Sequence, residues 1–190
     1  MSKEDLDKWN QRYAEDSYRK NNPVVFLQDW LPKVPVGKAL DVACGAGRNS
    51  IFLAQSGFQV DAIDISPEGL RRARQLAESQ GLNINWMEHD LDQAFRFDTE
   101  YDLIIVMWYV NLALVTRLCD YLATGGYLLC EEHLITDQDV IGPTNSNYRV
   151  APGALREAVS GLNILLYEEI IENGSDGERV ASARVAGIKN

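Results

Sequence analysis

The residues best placed to do chemistry are three aspartates, Asp41, Asp64 and Asp90, separated by 23 and 26 residues. Each stands at or just after an apolar run, and each spacing fits one strand–helix unit. Asp41 interrupts the run Ala39, Leu40, Val42, Ala43. The small-residue turn Cys44-Gly45-Ala46-Gly47 follows. Glycine at 45 and 47 permits unusual backbone angles and lets a ligand approach with no Cβ in the way. Next come Ile51, Phe52, Leu53 and Ala54 before Gly57, an amphipathic stretch that reads as a helix with free N–H groups at its start. The dinucleotide pattern G-x-G-x-x-G is incomplete, because Ser50 occupies the third glycine position. A carboxylate at 41 would repel a pyrophosphate and attract a cation such as an α-ammonium. The turn therefore suits a ligand that carries an amino acid better than one that carries phosphates.

The elements that must position these acids follow from patterning. Residues 2–29 are a mixed-charge lead-in, with Leu6, Trp9 and Tyr13 on one helical face and Asn21-Asn22-Pro23 as its stop. A short helix over 24–31 ends at Pro32. Strands are expected at 59–65, 83–88, 101–107 and 127–130, the last entered by a turn at Gly125-Gly126. Ser66, Pro67 and Glu68 are good N-cap, first-turn proline and first-turn acid for a helix to about Ser79. A helix is expected over 112–122, a surface loop over 137–149 and a short helix over 153–160. Two last strands, 164–171 and 179–188, joined through the turn-rich 173–177, read as an antiparallel hairpin. The whole is an α/β, doubly wound and mainly parallel sheet in one domain over 1–190, its core beginning at 37. Asp61, three residues before Asp64, is expected to face solvent or cap a neighbour.

The run Asp41-Val42-Ala43-Cys44-Gly45-Ala46-Gly47 resembles motif I of the class I S-adenosylmethionine-dependent methyltransferases. Val60-Asp61-Ala62-Ile63-Asp64-Ile65-Ser66-Pro67 resembles their second strand with its ribose-binding acid. The resemblance covers nearly the whole chain, with specific motifs only in the first half. It implies a seven-stranded Rossmann-like sheet and S-adenosyl-L-methionine as cofactor, with S-adenosyl-L-homocysteine as product. Asp64 would hold the ribose hydroxyls, Asp90 the adenine amino group, and the Leu91 backbone the ring. Gly45 and Gly47 would receive the methionine part and Asp41 its ammonium. Cys44, Asn49, Ile65, Ser66 and Met107 complete the implied cofactor contacts. The cluster Trp9-Asn10-Gln11-Arg12-Tyr13 resembles the N-terminal segment of small tellurite-resistance-like methyltransferases, which lies over the cofactor. Residues 1–36 are then a helical lid, with Arg12 and Tyr13 reaching the methionine end.

Methyl transfer from a sulfonium is mainly a matter of holding donor and acceptor together, so no catalytic triad is required. By resemblance, residues after the fourth strand face the transferred methyl; here they are Trp108, Tyr109 and Asn111, and His133 after the next strand is a further candidate. Glu131 and Glu132 beside it either line the acceptor site or form a solvated rim. The motif of base-methylating enzymes is missing from Met107-Trp108-Tyr109-Val110-Asn111. The resemblance is nearest to the tellurite-resistance-like and thiopurine-like types, which act on small soft acceptors. Two histidines and three cysteines at unsuitable spacings predict no metal site. A net charge of −10 opposes nucleic-acid binding. No apolar run reaches membrane-span length, and the thiols suit a cytoplasmic protein. The acceptor is thus expected to be a small molecule. The other readings are a non-catalytic cofactor-binding protein and a nicotinamide-dependent oxidoreductase.

Overall fold

A computed structural model describes residues 3–14, 22–173 and 178–190. The chain packs as two compact units, Met1–Ile105 and Val106–Asn190. The first holds helix α1 (Lys3–Ala14), helix α2 (Val25–Trp30), strand β1 (Lys38–Val42), helix α3 (Arg48–Gln55), strand β2 (Gln59–Asp64), helix α4 (Pro67–Ser79) and strand β3 (Asn85–Glu88). Strand β4 (Tyr101–Met107) crosses the boundary. The second unit continues with helix α5 (Leu112–Leu118), strand β5 (Leu122–His133), helix α6 (Ala154–Ala158), strand β6 (Asn163–Asn173) and strand β7 (Arg179–Ile188). The strands form a seven-stranded sheet in the order β3-β2-β1-β4-β5-β7-β6.

In the first unit β1, β2 and β3 run parallel, Asp41 beside Ala62 and Asp64 beside Glu88. Ala39, Leu40 and Val42 are fully buried, as a strand covered on both faces requires. Helix α4 starts where its sequence signals say: the Ser66 hydroxyl accepts the Gly69 N–H at 3.0 Å, with Pro67 and Glu68 in the first turn. Helix α3 has no side-chain cap and begins instead from Gly47, at φ 80°.

Asp61 departs from expectation. It is buried, accepts from the Tyr101 hydroxyl at 2.8 Å and from the Asn85 amide at 2.9 Å, and pairs with Lys38 at 3.3 Å. Tyr101 opens β4, so this acid ties β4 to the β2–β3 pair rather than meeting solvent.

In the second unit β5, β7 and β6 are antiparallel neighbours, which gives the expected hairpin; its turn, 174–177, lies outside the described residues, as does the proposed stop at Asn21. Strand β5 is longer than expected. It runs through Gly125-Gly126 because the Gly125 N–H bonds the Lys189 carbonyl and the Lys189 N–H bonds that of Gly126, which keeps the chain paired where a turn was anticipated. The expected 112–122 helix stops at Leu118 and tightens into a 3-10 turn over Cys119–Tyr121. Among the described residues no helix is long and apolar enough to cross a membrane.

Candidate cofactor and acceptor sites

The small-residue turn after β1 is left-handed at alternate residues: Ala43 at φ 57°, Gly45 at 55°, Gly47 at 80°. Alanine tolerates this conformation at a cost that glycine avoids, so the turn is strained at Ala43. A Cβ at Gly45 would lie 2.3 Å from the Tyr13 hydroxyl. Tyr13 therefore sits directly against the turn, stacked on Trp9 at 5.7 Å between ring centres.

Asp41 is buried, 1% exposed, and accepts from the Ser50 hydroxyl at 2.5 Å. Burial pushes its carboxyl up to about 7, against the opposing pull of Ser50 and Arg48. An adjoining cation would restore its charge. Asp64 is buried and clamped by backbone: Oδ2 accepts the Gly45 N–H and Oδ1 the Ser66 N–H, both at 2.8 Å. Desolvation raises its pKa and these two donors oppose the rise. A carboxylate has about four acceptor positions, so each oxygen keeps capacity for a ligand hydroxyl.

Ser66 does more than cap a helix. Its hydroxyl donates to Asn10 Oδ1 at 2.6 Å, while the Ala14 carbonyl accepts from Arg72 at 3.1 Å. Helix α1 is thereby fixed to the start of α4. Arg12 lies over the Trp9 ring at 5.3 Å and is exposed. Asn49 is buried, and its amide oxygen accepts the Val24 N–H at 3.0 Å, which anchors the approach to α2. Cys44 is buried with its thiol held neutral, since burial raises its pKa well above the ordinary range. Ile65 is half-buried between Asp64 and Ser66. Asp90 Oδ1 accepts the Asp92 N–H at 3.0 Å, a local turn that also buries Leu91. Just before it, His89 Nε2 is buried with no hydrogen-bond partner among the described residues.

Asp41, Gly45, Gly47, Asp64, Ser66 and Tyr13 are thus gathered around one turn. Sequence reasoning missed Ser50 and Asn10. Ser50 registered only as an absent glycine, and Asn10 lay unremarked between Trp9 and Tyr13.

In the second unit Met107 is buried at the end of β4. Trp108 follows at φ 65°, a left-handed conformation rare for a bulky residue. It is held by its N–H to the Glu131 carbonyl at 2.8 Å and by its ring tilted against His133 at 4.4 Å. The Tyr109 N–H then donates to Glu132 Oε1 at 3.2 Å. Asn111 caps α5, its side chain accepting the Leu114 N–H at 3.0 Å. The loop after β5 returns over His133, and Arg149 gathers it by donating to the Pro143, Leu134 and Ile141 carbonyls. Glu131 and Glu132 are both buried, so neither belongs to a solvated rim. Among the described residues no group of three or more His, Cys, Asp or Glu is placed to hold a metal ion.

A family model described as a methyltransferase domain matches residues 39–126, which take in the glycine turn and all three aspartates. Over those residues the chain is similar to a methyltransferase domain. It is 28% identical over 139 residues to the "Probable S-adenosyl-L-methionine-dependent methyltransferase TehB" of Haemophilus influenzae, covering 70% of this chain and 48% of that protein. The chain therefore spans about half the length of that relative. The crystal structure of TehB from Haemophilus influenzae superposes with a TM-score of 0.74 at 22% identity, over 97% of this chain and 67% of that one. N-methyltransferase NodS from Bradyrhizobium japonicum, crystallised with S-adenosyl-L-homocysteine, gives 0.71 at 20% identity over 96% and 97%. These likenesses support the Rossmann-like methyltransferase sheet with its antiparallel end.

Proposed function

We propose that this chain binds S-adenosylmethionine and transfers its methyl group to a small-molecule acceptor by in-line displacement. The observation that carries the reading is the pair of buried aspartates on either side of the glycine turn. Asp64, held by the Gly45 and Ser66 N–H groups, has acceptor capacity left for two ribose hydroxyls. Asp41 is buried with no ion pair among the described residues, and an α-ammonium is the cation that would suit it. The turn backbone at Gly45, with the Tyr13 side chain against it, is read as the seat of the methionine part. TehB is named for the same donor and NodS was crystallised with its demethylated product, which favours S-adenosylmethionine over a nicotinamide. The donor supplies an already activated methyl; the protein's task is to bind, orient and exclude water. Helix α1, with Tyr13 against Gly45, is read as a cover for the methionine end, and Asp90 and Leu91 as the adenine contacts. The charge of −10 disfavours a nucleic-acid acceptor, and the location is taken as cytoplasmic.

Calorimetry with S-adenosylmethionine and S-adenosylhomocysteine tests binding. Asp64→Ala should weaken both by at least about tenfold, the loss of hydrogen bonds to a charged group worth about 1.5–3 kcal/mol. Unchanged affinity in a folded variant would place the ribose elsewhere. Methyl transfer is then read by mass spectrometry over small thiols, amines, phenols and metalloid oxyanions. Binding with no transfer to any of them would leave a cofactor-binding protein in place of an enzyme.

A further inference from the structure

Half of the α1 sequence, KEDLDKWNQRYA, is charged. The helix therefore brings little core of its own and docks on the first unit through particular side chains. Asn10, Tyr13 and Ala14 stand at spacings of three and four and share one face. Tyr13 is buried in the space that a Cβ would take at two glycines: a Cβ on Gly45 would lie 2.3 Å from its hydroxyl, and one on Gly69 would lie 3.1 Å from its ring. The Asn10 amide oxygen accepts the Ser66 hydroxyl at 2.6 Å. The Ala14 carbonyl accepts from Arg72 at 3.1 Å, a cation at the negative end of the helix dipole.

The residues that Asn10 and Tyr13 touch are the two that clamp Asp64. Gly45 gives its N–H to Asp64 Oδ2 and Ser66 gives its N–H to Oδ1, both at 2.8 Å. Ser66 is fully buried and has three tasks. Its N–H holds Asp64, its hydroxyl oxygen accepts the Gly69 N–H at 3.0 Å, and its hydroxyl proton goes to Asn10. Capping α4 uses only a lone pair of that oxygen, so the cap needs nothing from α1. The proton is a separate matter. A buried hydroxyl without an acceptor is costly, and Asn10 supplies the acceptor from 56 positions away. Asparagine is a poor choice inside a helix, where its side chain competes with the backbone. Its contact with Ser66 gives it a use there.

We propose that Asn10 is a positioning residue for the donor's ribose: by taking the Ser66 hydroxyl proton it fixes Ser66, whose N–H holds Asp64 in place, so that docking of α1 and binding of the donor through Asp64 favour each other. This rests on the donor-binding reading above and goes beyond a cover for the methionine end. A cover acts on the part of the donor beneath it, whereas Asn10 acts through Asp64 on the ribose and touches no reacting atom. The coupling is reciprocal: what α1 adds to donor affinity, the donor returns to the docking of α1.

Two ligands separate these roles. S-adenosylhomocysteine carries the ribose and the amino acid; 5′-methylthioadenosine carries the ribose without the amino acid. In calorimetry on the full chain, Asn10→Ala should weaken both by a similar factor, about three- to tenfold, as the loss of one hydrogen bond implies. Asn10→Asp keeps the acceptor oxygen and should restore most of the affinity. In an Asp64→Ala background Asn10→Ala should cost little more, because the two residues act through one contact. A loss confined to S-adenosylhomocysteine would overturn the proposal and leave α1 as a cover for the amino-acid end. Wild-type affinity in Asn10→Ala would overturn it, as would no recovery in Asn10→Asp or equal losses with and without Asp64. In each of these cases donor binding itself still stands. Unchanged affinity in Asp64→Ala alone, or a wild type that binds neither ligand, would instead refute the donor reading, and the proposal with it.

Discussion

Replacing Asp41 by asparagine should remove the pH dependence that this one residue imposes on stability. In the free protein burial carries the Asp41 carboxyl from 3.8 to about 7, whereas the unfolded chain keeps the ordinary value. Below about pH 4 both states hold the proton and the residue costs nothing. Between about 4 and 7 the unfolded chain ionises while the folded one stays protonated, so the unfolded state binds fewer protons and stability falls as pH rises. Above about 7 the loss is complete. At about 1.4 kcal/mol per pKa unit it amounts to about 4 kcal/mol. The amide of the Asp41→Asn variant cannot titrate, so that chain should lack this slope. The amide nitrogen needs a new acceptor, at a fixed cost of about 1–3 kcal/mol, so the slope and not the absolute stability is diagnostic.

Urea unfolding of the two chains across pH 4 to 8 gives the difference directly, because their other acids titrate in common. The variant should gain on wild type by up to about 4 kcal/mol over that range. If Asp41 also faces the donor's ammonium, S-adenosylhomocysteine affinity in wild type should rise with pH up to about 7 and then level, while Asp41→Asn stays flat. A stability difference that is the same at both ends of the pH range would refute the buried, protonated Asp41. A flat wild-type affinity would refute its pairing with the ammonium.

Gly45→Ala places a Cβ 2.3 Å from the Tyr13 hydroxyl at a φ of 55°, so it should cost about 1–2 kcal/mol and free α1 from the turn. Limited proteolysis should then cut within 3–14 faster than in wild type, and equal cutting at equal stability would refute the packing. Arg184→Ala strips the counter-ion from Glu131, which is 1% exposed, and should cost about 3–5 kcal/mol at neutral pH. The cost should shrink in acid, where Glu131 is neutral, and Glu131→Gln in the same chain should recover much of it; thermal melts of the single and double variants decide.

The sequence by itself determined the elements whose causes are local. The strand, glycine turn and helix around Asp41 to Leu53, the Ser66–Pro67–Glu68 helix start and the apolar run of β4 were all legible, because periodicity, capping and left-handed turns depend on neighbours a few residues away. The places of Asp41 and Asp64 near strand ends were legible for the same reason: each is fixed there by its own segment. What only the tertiary structure decided are the partners brought from a distance. Asp61 reads in sequence like any polar residue in a strand, yet Tyr101, 40 positions on, makes it an internal tie. Ser50 becomes the hydroxyl that shapes Asp41 only when α3 folds back onto β1. Glu131 and Glu132 look alike in the chain. Their difference comes from β7, which sets Arg184 beside one and Ala183 beside the other. Alternation in a strand tells which neighbours share a face, but the pairing register and the depth of burial decide whether a carboxyl meets a cation, a backbone N–H or nothing.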